Sequence, residues 1–481
     1  MTIAASILLY ASTILLAATT LWRLKRPIDI GLLVPLFWVA LVPVQVIAGG
    51  AFRGYTGAVR DNLDLSVSLV NVTMVALQWF LSSSHFTRLS DAVRARFVSG
   101  EQASPESDKR LARYWWYGLA VIAVGLASLH LYLMPKIPLF ELLTGMTDFY
   151  QLASDRENAA KLLDAPVLLK YAFNWDSTLL LPILFCAAVL YKWRNLAIFI
   201  GIFGLFYVAA PMDKFPSLLF IMGPFVVLAV RDRKTVFSKI LIVGIIVAFI
   251  PPYLITESSS ISINLHRALH IPIAVVVPPQ SATSAPPSGE VPIESIAGVK
   301  LPGPVAVFLD LALRRIGQGP ADTTYQWFQF FPAVHPFLNG NGWAPWKVLS
   351  PGYQNPANMV GLWAYYGKHG YFLTSISAYA SFVADGWAEF GFLGVVLACL
   401  WLFVFCVVIE LMRTFADRPF CLACYGPCLL VLASSVPISG VMAMTFSLGI
   451  VFGPLISLGY VLTSRSGGLP MPRLRKQPAA T

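Results

Sequence analysis

Long apolar segments recur along this sequence, and each is close to the length that crosses the hydrocarbon core of a membrane. A spanning α-helix needs about 20 mostly apolar residues. About 11 segments approach this length, namely 3–21, 30–49, 65–84, 116–134, 168–191, 196–210, 215–230, 236–255, 392–412, 421–437 and 441–462. The sequence therefore predicts an all-α polytopic integral membrane protein.

Composition supports the same class. Of the 481 residues, 57% are hydrophobic and 12% are charged, whereas a soluble domain carries about 25% charged residues. So few charges cannot cover a surface that faces only water. Much of the surface must therefore face lipid.

The formal net charge of +10 is concentrated in short segments between the apolar runs. Lysine and arginine are enriched in cytoplasmic loops of membrane proteins. One topology puts all strong basic clusters inside, with the N-terminus outside and the C-terminus inside. The basic clusters lie at 23–26, 88–113, 192–194, 231–234, 413–418 and 465–476. This distribution explains the positive charge, so no nucleic-acid partner is predicted.

The same topology divides the chain into four parts. Residues 1–256 form spanning helices 1 to 8 with short loops, and residues 257–391 form one large outer, periplasmic loop with short interfacial helices. Within this loop, residues 278–304 are rich in proline and serine and are typical of a flexible linker. Residues 392–463 form the last spanning helices, and residues 464–481 form a basic cytoplasmic tail.

Two adjacent arginines, Arg314 and Arg315, end a short amphipathic helix predicted over 305–316. A guanidinium group binds phosphate oxygens bidentately, so a pair at the membrane surface suits a diphosphate. The alternative is that both side chains simply reach the lipid headgroups.

Arg267 and Lys214 are further candidate phosphate-binding cations. Arg267 lies between two histidines on a predicted outer helix, which could equally be a solvated interfacial helix. Lys214 lies in a short outer turn beside Asp213, where it either pairs with that carboxylate or faces a polar cavity. Asp176, inside a predicted span, raises the same question.

Asp385 and Glu389 form the densest acidic feature, just before the span at 392–412. Their spacing places both carboxylates on one helix face. They could act as a general base or bind sugar hydroxyls, or the helix dipole alone could favour them. His335 and His369 are further candidate bases.

Several motifs of other enzyme classes are absent from the sequence. There is no Gly-rich P-loop, no Gly-x-Ser-x-Gly and no His-Glu-x-x-His, and the inner loops lack an Asp-x-Asp site. Cys421, Cys424 and Cys428 share one helix face, where packing is the favoured interpretation over a metal or redox site. No metal or other cofactor is predicted.

Three segments resemble the Wzy-type O-antigen and oligosaccharide repeat-unit polymerases. They are Asp213-Lys-Phe-Pro-Ser-Leu-Leu, then Arg314-Arg-Ile-Gly with the following Tyr325-Gln-Trp-Phe-Gln-Phe-Phe and Phe337-Leu-Asn-Gly-Asn-Gly, and finally Ala384-Asp-Gly-Trp-Ala-Glu-Phe-Gly-Phe-Leu-Gly. The resemblance covers roughly 206–230 and 311–396, and the large outer loop fits it. The family more often has arginine where this chain has Lys214.

The resemblance implies a glycosyltransferase of the bacterial inner membrane whose active site faces the periplasm. Such an enzyme transfers an oligosaccharide from polyprenyl diphosphate to another lipid-linked repeat unit, sometimes beside a chain-length regulator in the membrane. It implies diphosphate binding by Arg314, Arg315, Arg267 and Lys214. It implies a base or sugar ligand among Glu389, Asp385 and His335. It also implies that aromatic rings such as Trp327, Trp343 and Trp387 stack on sugars.

Three alternatives remain open from the sequence. An O-antigen ligase-like transferase would use the same donor and deliver one block to a lipopolysaccharide core. A transporter or flippase of lipid-linked glycans would have charged residues buried in many helices and repeat symmetry between halves. We expect spanning helices nearly free of charge, which favours a transferase. A structural membrane protein is the third alternative.

Overall fold

The computed structural model of the chain describes residues 2–26, 28–52, 55, 57–98, 105–144, 155, 158–159, 165–212, 214–231, 295–296, 299–300, 319–343, 352–369, 380–440 and 442–465. These residues are helical apart from turns and one short antiparallel pair. In that pair β1 (Ser295–Ile296) is bonded to β2 (Val299–Lys300). The predicted span at 236–255, the helix at 305–316 and most of the linker at 278–304 lie outside the described residues.

Eleven helices precede the β pair in the described part of the chain. They are α1 (Thr2–Arg23), α2 (Ile30–Leu41), α3 (Pro43–Phe52), α4 (Gly57–Ser82), α5 (Ser84–Val98), α6 (Pro105–Leu133), α7 (Pro138–Thr144), α8 (Val167–Trp175), α9 (Leu181–Leu190), α10 (Arg194–Ala209) and α11 (Lys214–Arg231). A π-helical turn, Asp176–Leu180, joins α8 to α9.

Six further helices follow. They are α12 (Gly319–Phe330), α13 (Pro356–His369), α14 (Phe382–Phe390), α15 (Phe392–Met412), α16 (Pro419–Ser435) and α17 (Phe452–Arg465). A 3₁₀ turn, Arg413–Phe415, follows α15, and a second π-helical turn, Ala443–Ser447, lies between α16 and α17.

Six helical segments of the described chain are long and apolar enough to cross a membrane. They are Ile3–Arg23, Ile30–Ala48, Gly57–Ser82, Pro105–Leu133, Val167–Leu190 and Phe392–Phe415. The apolar helices α10, α11 and α16 are shorter. The predicted class, a helical membrane protein, is thus confirmed by helix length and composition.

Contacts between helix ends and the adjoining loops define two opposite ends of the helix bundle. At the first, here called the basic end, Arg465 donates to the carbonyl of Arg96 at 2.9 Å, and the hydroxyl of Tyr191 donates to Asp108 at 2.9 Å. An ion pair between Arg94 and Asp417 lies at the same end. The basic segments that we expected on one side of the membrane therefore meet, as far as the structure describes them.

The opposite end, here called the site end, collects the other helix termini. The amide of Leu139 donates to the carbonyl of Ala210 at 3.2 Å, and the rings of Tyr55 and Tyr325 stack with centroids 4.0 Å apart. The hydroxyl of Tyr55 also bonds to Asp322. Successive long helices alternate between the two ends, so α1 begins at the site end and α17 finishes at the basic end.

Helix α16 forms the centre of the bundle and packs against α2, α9, α11, α15 and α17. Every residue from Phe420 to Ser435 is buried. Small residues permit this close packing, as in other membrane bundles. A Cβ on Gly426 would overlap Val227, and a Cβ on Gly453 would overlap the sulfur of Cys428. All six cysteines are free thiols and buried, as expected of packing residues.

A buried charge network lies at the basic end around Glu410 on α15. Its Oε2 accepts hydrogen bonds from the hydroxyl of Tyr425 at 2.7 Å and from the amide of Ile30 at 3.2 Å. Its Oε1 pairs with Arg413 at 2.9 Å. Asp29 extends the network by pairing with both Arg413 and Arg23.

The spanning helices therefore carry more charge than we expected. Asp64, Asp176 and Glu410 are all buried on spans, as is Arg23 at the end of α1. The expectation of spans nearly free of charge was wrong because these side chains are buried in the bundle interior, away from lipid. Apolar composition alone does not reveal such inward-facing groups.

Candidate functional site

The candidate site is built on the short helix α14 at the site end. Gly391 ends this helix with φ of 60°, a left-handed conformation that favours glycine, and the chain then reverses into α15. Gly386 and Gly394 face each other across the reversal, and a Cβ on Gly386 would lie 2.6 Å from the carbonyl oxygen of Gly394. The glycines of this segment thus hold α14 tightly against the start of α15.

Residues 337–343, here called the glycine loop, wrap around the end of α14. The amides of Leu338 and Asn339 donate to the carbonyls of Ala388 and Glu389, both at 2.9 Å. Gly340 then turns with φ of 92°. These backbone bonds bring the loop, which is remote in sequence, directly onto the acidic face of α14.

The carboxylate of Glu389 holds the glycine loop in place. Its Oε2 accepts hydrogen bonds from the amides of Gly340 at 2.8 Å and Gly342 at 3.3 Å. The residue is completely buried, and its Oε1 has no hydrogen-bond partner among the described residues. Burial raises the pKa of Glu389 to about 7, against the opposing effect of the two amides. The structure thus gives Glu389 a positioning role next to the site.

Asp385 lies one helical turn before Glu389 and lines a cavity of about 530 Å³. Its carboxyl packs on the backbone of Gly440, where a Cβ would lie 2.5 Å from Oδ2. Burial raises the pKa of Asp385 well above its usual value, and the neighbouring charge of Glu389 adds to this effect. Of the two predicted acidic residues, Asp385 is the one that faces open space.

The rest of the cavity wall is apolar and belongs mostly to the spanning helix α15. Leu397, Leu400 and Val404 line it and are 40%, 59% and 59% exposed. Trp401 and Met442 complete this wall, and the indole N–H of Trp401 donates to Thr445 at 3.0 Å. The cavity is therefore a groove that is continuous with the lipid-facing surface of α15. Its polar end is formed by Asp385 and Trp343.

The three tryptophans predicted to bind sugar are placed differently. Trp327 and Trp387 are 4% and 6% exposed, and Phe328 stacks on Trp387 with centroids 4.5 Å apart. Their burial in an aromatic cluster leaves no open ring face for a sugar. Trp343 is partly exposed at the groove, with its ring edge-on to Phe390 at 5.5 Å. Sugar stacking therefore stays a prediction for Trp343.

His335 lies apart from the groove. Its ring is parallel to that of Phe330, with centroids 6.0 Å apart, and its Nδ1 bonds to the carbonyl of Pro336 at 2.7 Å. Nothing in the described structure brings it to Asp385.

The predicted cations cannot be placed against the groove. Arg267, Arg314 and Arg315 lie outside the described residues. Lys214 is the first residue of α11 at the site end, and His369 is the last residue of α13, but neither side chain is among those described. Phosphate binding by these cations stays a prediction.

Sequence reasoning missed two parts of the site. The first is the use of Gly340 and Gly342 as amide donors to Glu389, although the Asn-Gly-Asn-Gly pattern marks a turn that could have suggested it. The second is the groove wall, whose leucines look like any other spanning residues in the sequence. Among the described residues no group of three or more His, Cys, Asp or Glu is placed to hold a metal ion.

Comparisons with known proteins add no identification. No family model, curated protein or solved structure matches the chain. Function is therefore inferred from the geometry of the site.

Proposed function

We propose that the chain is a membrane glycosyltransferase that polymerises oligosaccharide repeat units carried on polyprenyl diphosphate. The observation that carries the proposal is the groove on α15, which is apolar along its length and has a carboxyl group at one end. A hydrocarbon chain fits the apolar wall, and a hydroxylated headgroup fits beside Asp385 and Trp343. This combination suits a glycolipid substrate better than a soluble one.

The topology supports the same proposal. With the basic end in the cytoplasm, the site end of the bundle faces the periplasm of a bacterial inner membrane. About 11 spans and one large periplasmic loop over 257–391 then complete the architecture. The polar end of the groove, beside the start of α15, then lies on the side of the membrane where lipid-linked repeat units are joined in such systems.

The chemistry that we propose is a single displacement. The acceptor hydroxyl oxygen forms a bond to the anomeric carbon of the donor, and the bond from that carbon to the diphosphate oxygen breaks. Asp385 accepts the proton of the acceptor hydroxyl, and polyprenyl diphosphate leaves with the bonding electron pair. Glu389 contributes by holding the glycine loop, and with it Trp343, beside Asp385.

Cationic side chains would stabilise the departing diphosphate. Arg267, Arg314, Arg315 and Lys214 are the candidates, and fixed positive charges there would oppose the negative charge that develops on the leaving oxygen. In this proposal these side chains supply the stabilisation that a metal ion provides in other transferases.

The test is a reconstituted reaction with polyprenyl-diphosphate-linked repeat units in lipid vesicles, with products resolved as a ladder. Asp385→Asn should reduce the rate by about 100-fold or more, the usual contribution of a general base. Asp417→Asn, which alters an exposed carboxylate at the basic end, is the matched control and should leave the ladder unchanged. Full activity of Asp385→Asn would show that Asp385 is not the general base. If the folded wild-type protein forms no ladder with its cognate substrate, the proposal that it is a polymerase is wrong.

One observation favours a second candidate, a transporter of lipid-linked glycans. Asp176 is buried on a span, and ionisable groups in spans often mark transport pathways. The same vesicles separate these functions, because a transporter moves the lipid between leaflets without forming a glycosidic bond. Transfer of one block to a lipopolysaccharide core, with no ladder, would instead indicate the ligase-like transferase.

A further inference from the structure

Asp176 occupies an unusual position inside the helix bundle, away from the groove. It opens the π-helical turn Asp176–Leu180 in the middle of the span Val167–Leu190. The residue is completely buried, and neither carboxyl oxygen has a hydrogen-bond partner among the described residues. π-Helical turns are rare and frequently coincide with functional sites.

The neighbours of Asp176 bind a second π-helical turn without its help. Asn174 donates to the carbonyl of Ser447 at 3.1 Å, and the indole of Trp175 donates to the carbonyl of Phe446 at 2.6 Å. The hydroxyl of Thr178 lies 2.6 Å from the carbonyl of Asn174 and 3.0 Å from that of Leu448, and it donates its hydrogen between the two. Since these bonds already join the two turns, the carboxyl of Asp176 is not needed to hold them together.

A hydrogen-bonded pair leads from the neighbourhood of Asp176 toward the site end. The buried Tyr207 interacts electrostatically with Asp176, and its hydroxyl lies 2.8 Å from Nδ1 of His130. Nε2 of His130 lies 3.1 Å from the carbonyl of Ala159. A carbonyl only accepts, so Nε2 carries the hydrogen and Nδ1 accepts from Tyr207 in the neutral ring. The lone pairs of the Tyr207 oxygen remain available to a further donor.

A proton is the ligand that fits Asp176. An ionised carboxylate without partners is costly to bury. A metal cation would need several ligands around it, and among the described residues no group of three or more His, Cys, Asp or Glu side chains is placed to hold one. The helices packed against this turn are α6, α8, α9, α10, α11 and α16. Their titratable groups are Glu106, Asp108, Lys109, Arg110, Arg113, Tyr114, Tyr117, His130 and Tyr132 on α6, Lys170 and Tyr171 on α8, Cys186 on α9, Arg194 and Tyr207 on α10, Lys214 and Arg231 on α11, and Cys421, Cys424, Tyr425 and Cys428 on α16.

We propose that Asp176 is a proton-binding site within the membrane, connected to the site end through Tyr207 and His130. In the structure the carboxyl makes no hydrogen bond to Tyr207. Proton exchange therefore requires the Asp176 side chain to turn toward the Tyr207 oxygen, while the Tyr207 hydroxyl donates to His130. This proposal is independent of the transferase chemistry, because none of these residues lines the groove.

Infrared difference spectroscopy on the full-length protein in lipid nanodiscs tests the proposal. Subtracting the spectrum of Asp176→Asn isolates the carbonyl stretch of a protonated Asp176, since the other buried acids are present in both samples. We expect this band in wild type at neutral pH, and we expect it to shift when H₂O is replaced by D₂O. Tyr207→Phe should slow the shift several-fold, whereas Tyr191→Phe at the basic end should not.

Each contrary outcome overturns a defined part of the proposal. A missing band at neutral and acidic pH would mean that Asp176 holds no proton. A band that does not shift in D₂O would mean that the proton on Asp176 does not exchange with solvent. Equal exchange in wild type and Tyr207→Phe would eliminate the pathway through Tyr207. Thermal unfolding of each variant, compared with wild type, identifies any variant that fails to fold, and His130→Gln then replaces Tyr207→Phe as the test of the pathway.

Discussion

Gly342 and Glu389 are in such close contact that any Cβ at position 342 would overlap Oε1 of the carboxylate. The amide of Gly342 also donates to Oε2 of the same group at 3.3 Å. The glycine loop and α14, separated by nearly fifty positions in the chain, therefore depend on the absence of one side chain. Since the loop ends at Trp343, this contact also fixes the polar end of the groove.

Gly342→Ala should destabilise the protein by about 1–3 kcal/mol, because the new methyl group overpacks a closed contact. It should also lower transfer activity by displacing Trp343. Thermal unfolding in detergent and the ladder reaction measure the two effects. Gly118→Ala on α6, where a Cβ would meet nothing within 4 Å, is the control and should be neutral or slightly stabilising. Equal behaviour of both variants would contradict the close contact.

Glu389 should make stability depend on pH around neutrality. Its pKa is raised from 4.5 to about 7 in the folded protein, so between these values the folded state holds more protons than the unfolded state. Stability should therefore fall as the pH rises from about 4.5 to about 7 and level off above, by up to about 3 kcal/mol. Glu389→Gln should flatten this dependence in thermal unfolding across that range.

Because Asp385 interacts with Glu389, the comparison should be repeated in an Asp385→Asn background, which removes the coupling between the two acids. If stability has the same dependence on pH with and without Glu389, the burial of Glu389 has no effect on its proton binding.

Asp385 should set the rising limb of the pH–rate profile. A base must be ionised to accept a proton, and burial raises the pKa of Asp385 well above its usual value. The transfer rate should therefore increase with pH through a range far above that of an exposed aspartate, then level off. Asp385→Glu should retain measurable activity with a displaced limb. A rate that is constant from acidic to alkaline pH would rule out this base.

The apolar wall of the groove should be essential for substrate binding. Leu400→Trp fills the groove beside Trp401 and should raise the substrate concentration needed for half-maximal rate, while the folded structure is kept because position 400 faces lipid. Leu205→Trp on α10, at a 44% exposed position outside the groove, is the matched control. Unchanged kinetics in Leu400→Trp would mean that the lipid chain binds elsewhere.

Glu410 should be far more important to stability than the exposed ion pair at the same end. Glu410→Ala leaves Arg413 without its partner and Tyr425 and Ile30 without their acceptor, which should cost about 3–5 kcal/mol. Asp417→Asn breaks only the exposed pair with Arg94 and should cost about 0–1 kcal/mol. Thermal unfolding measures the loss of stability in each variant. Similar losses in both variants would contradict the larger contribution expected of Glu410.

The helices of this fold were predictable because the length of an apolar run is a local property. Segment 392–412 coincides with α15 for that reason, and segment 65–84 overlaps the C-terminal two thirds of α4. The two π-helical turns, Asp176–Leu180 and Ala443–Ser447, were not predictable. Hydrogen bonds from Asn174 and Trp175, beside the first turn, to backbone carbonyls of the second join segments that are remote in sequence. Apolar composition identified the spans. It did not reveal that Asp64 and Glu410 lie on the helix faces that point into the bundle.

The site was predictable only in part, for a similar reason. The spacing of Asp385 and Glu389 correctly placed them on one helix, α14. Which of the two faces open space depends on the glycine loop, whose amides bind Glu389 and leave Asp385 to the groove. The burial of Trp327 and Trp387 likewise follows from packing against Phe328 and Phe331, which sequence position does not reveal.

Helix α16, buried along its length from Phe420 to Ser435, has a consequence for biogenesis. A helix that meets no lipid in the finished protein gains little by partitioning into the bilayer alone. Of its neighbours, α2, α9, α11 and α15 precede it in the chain and α17 follows it, so most of the site that receives it is synthesised first. Insertion of α16 is therefore a late assembly step, templated by the rest of the protein.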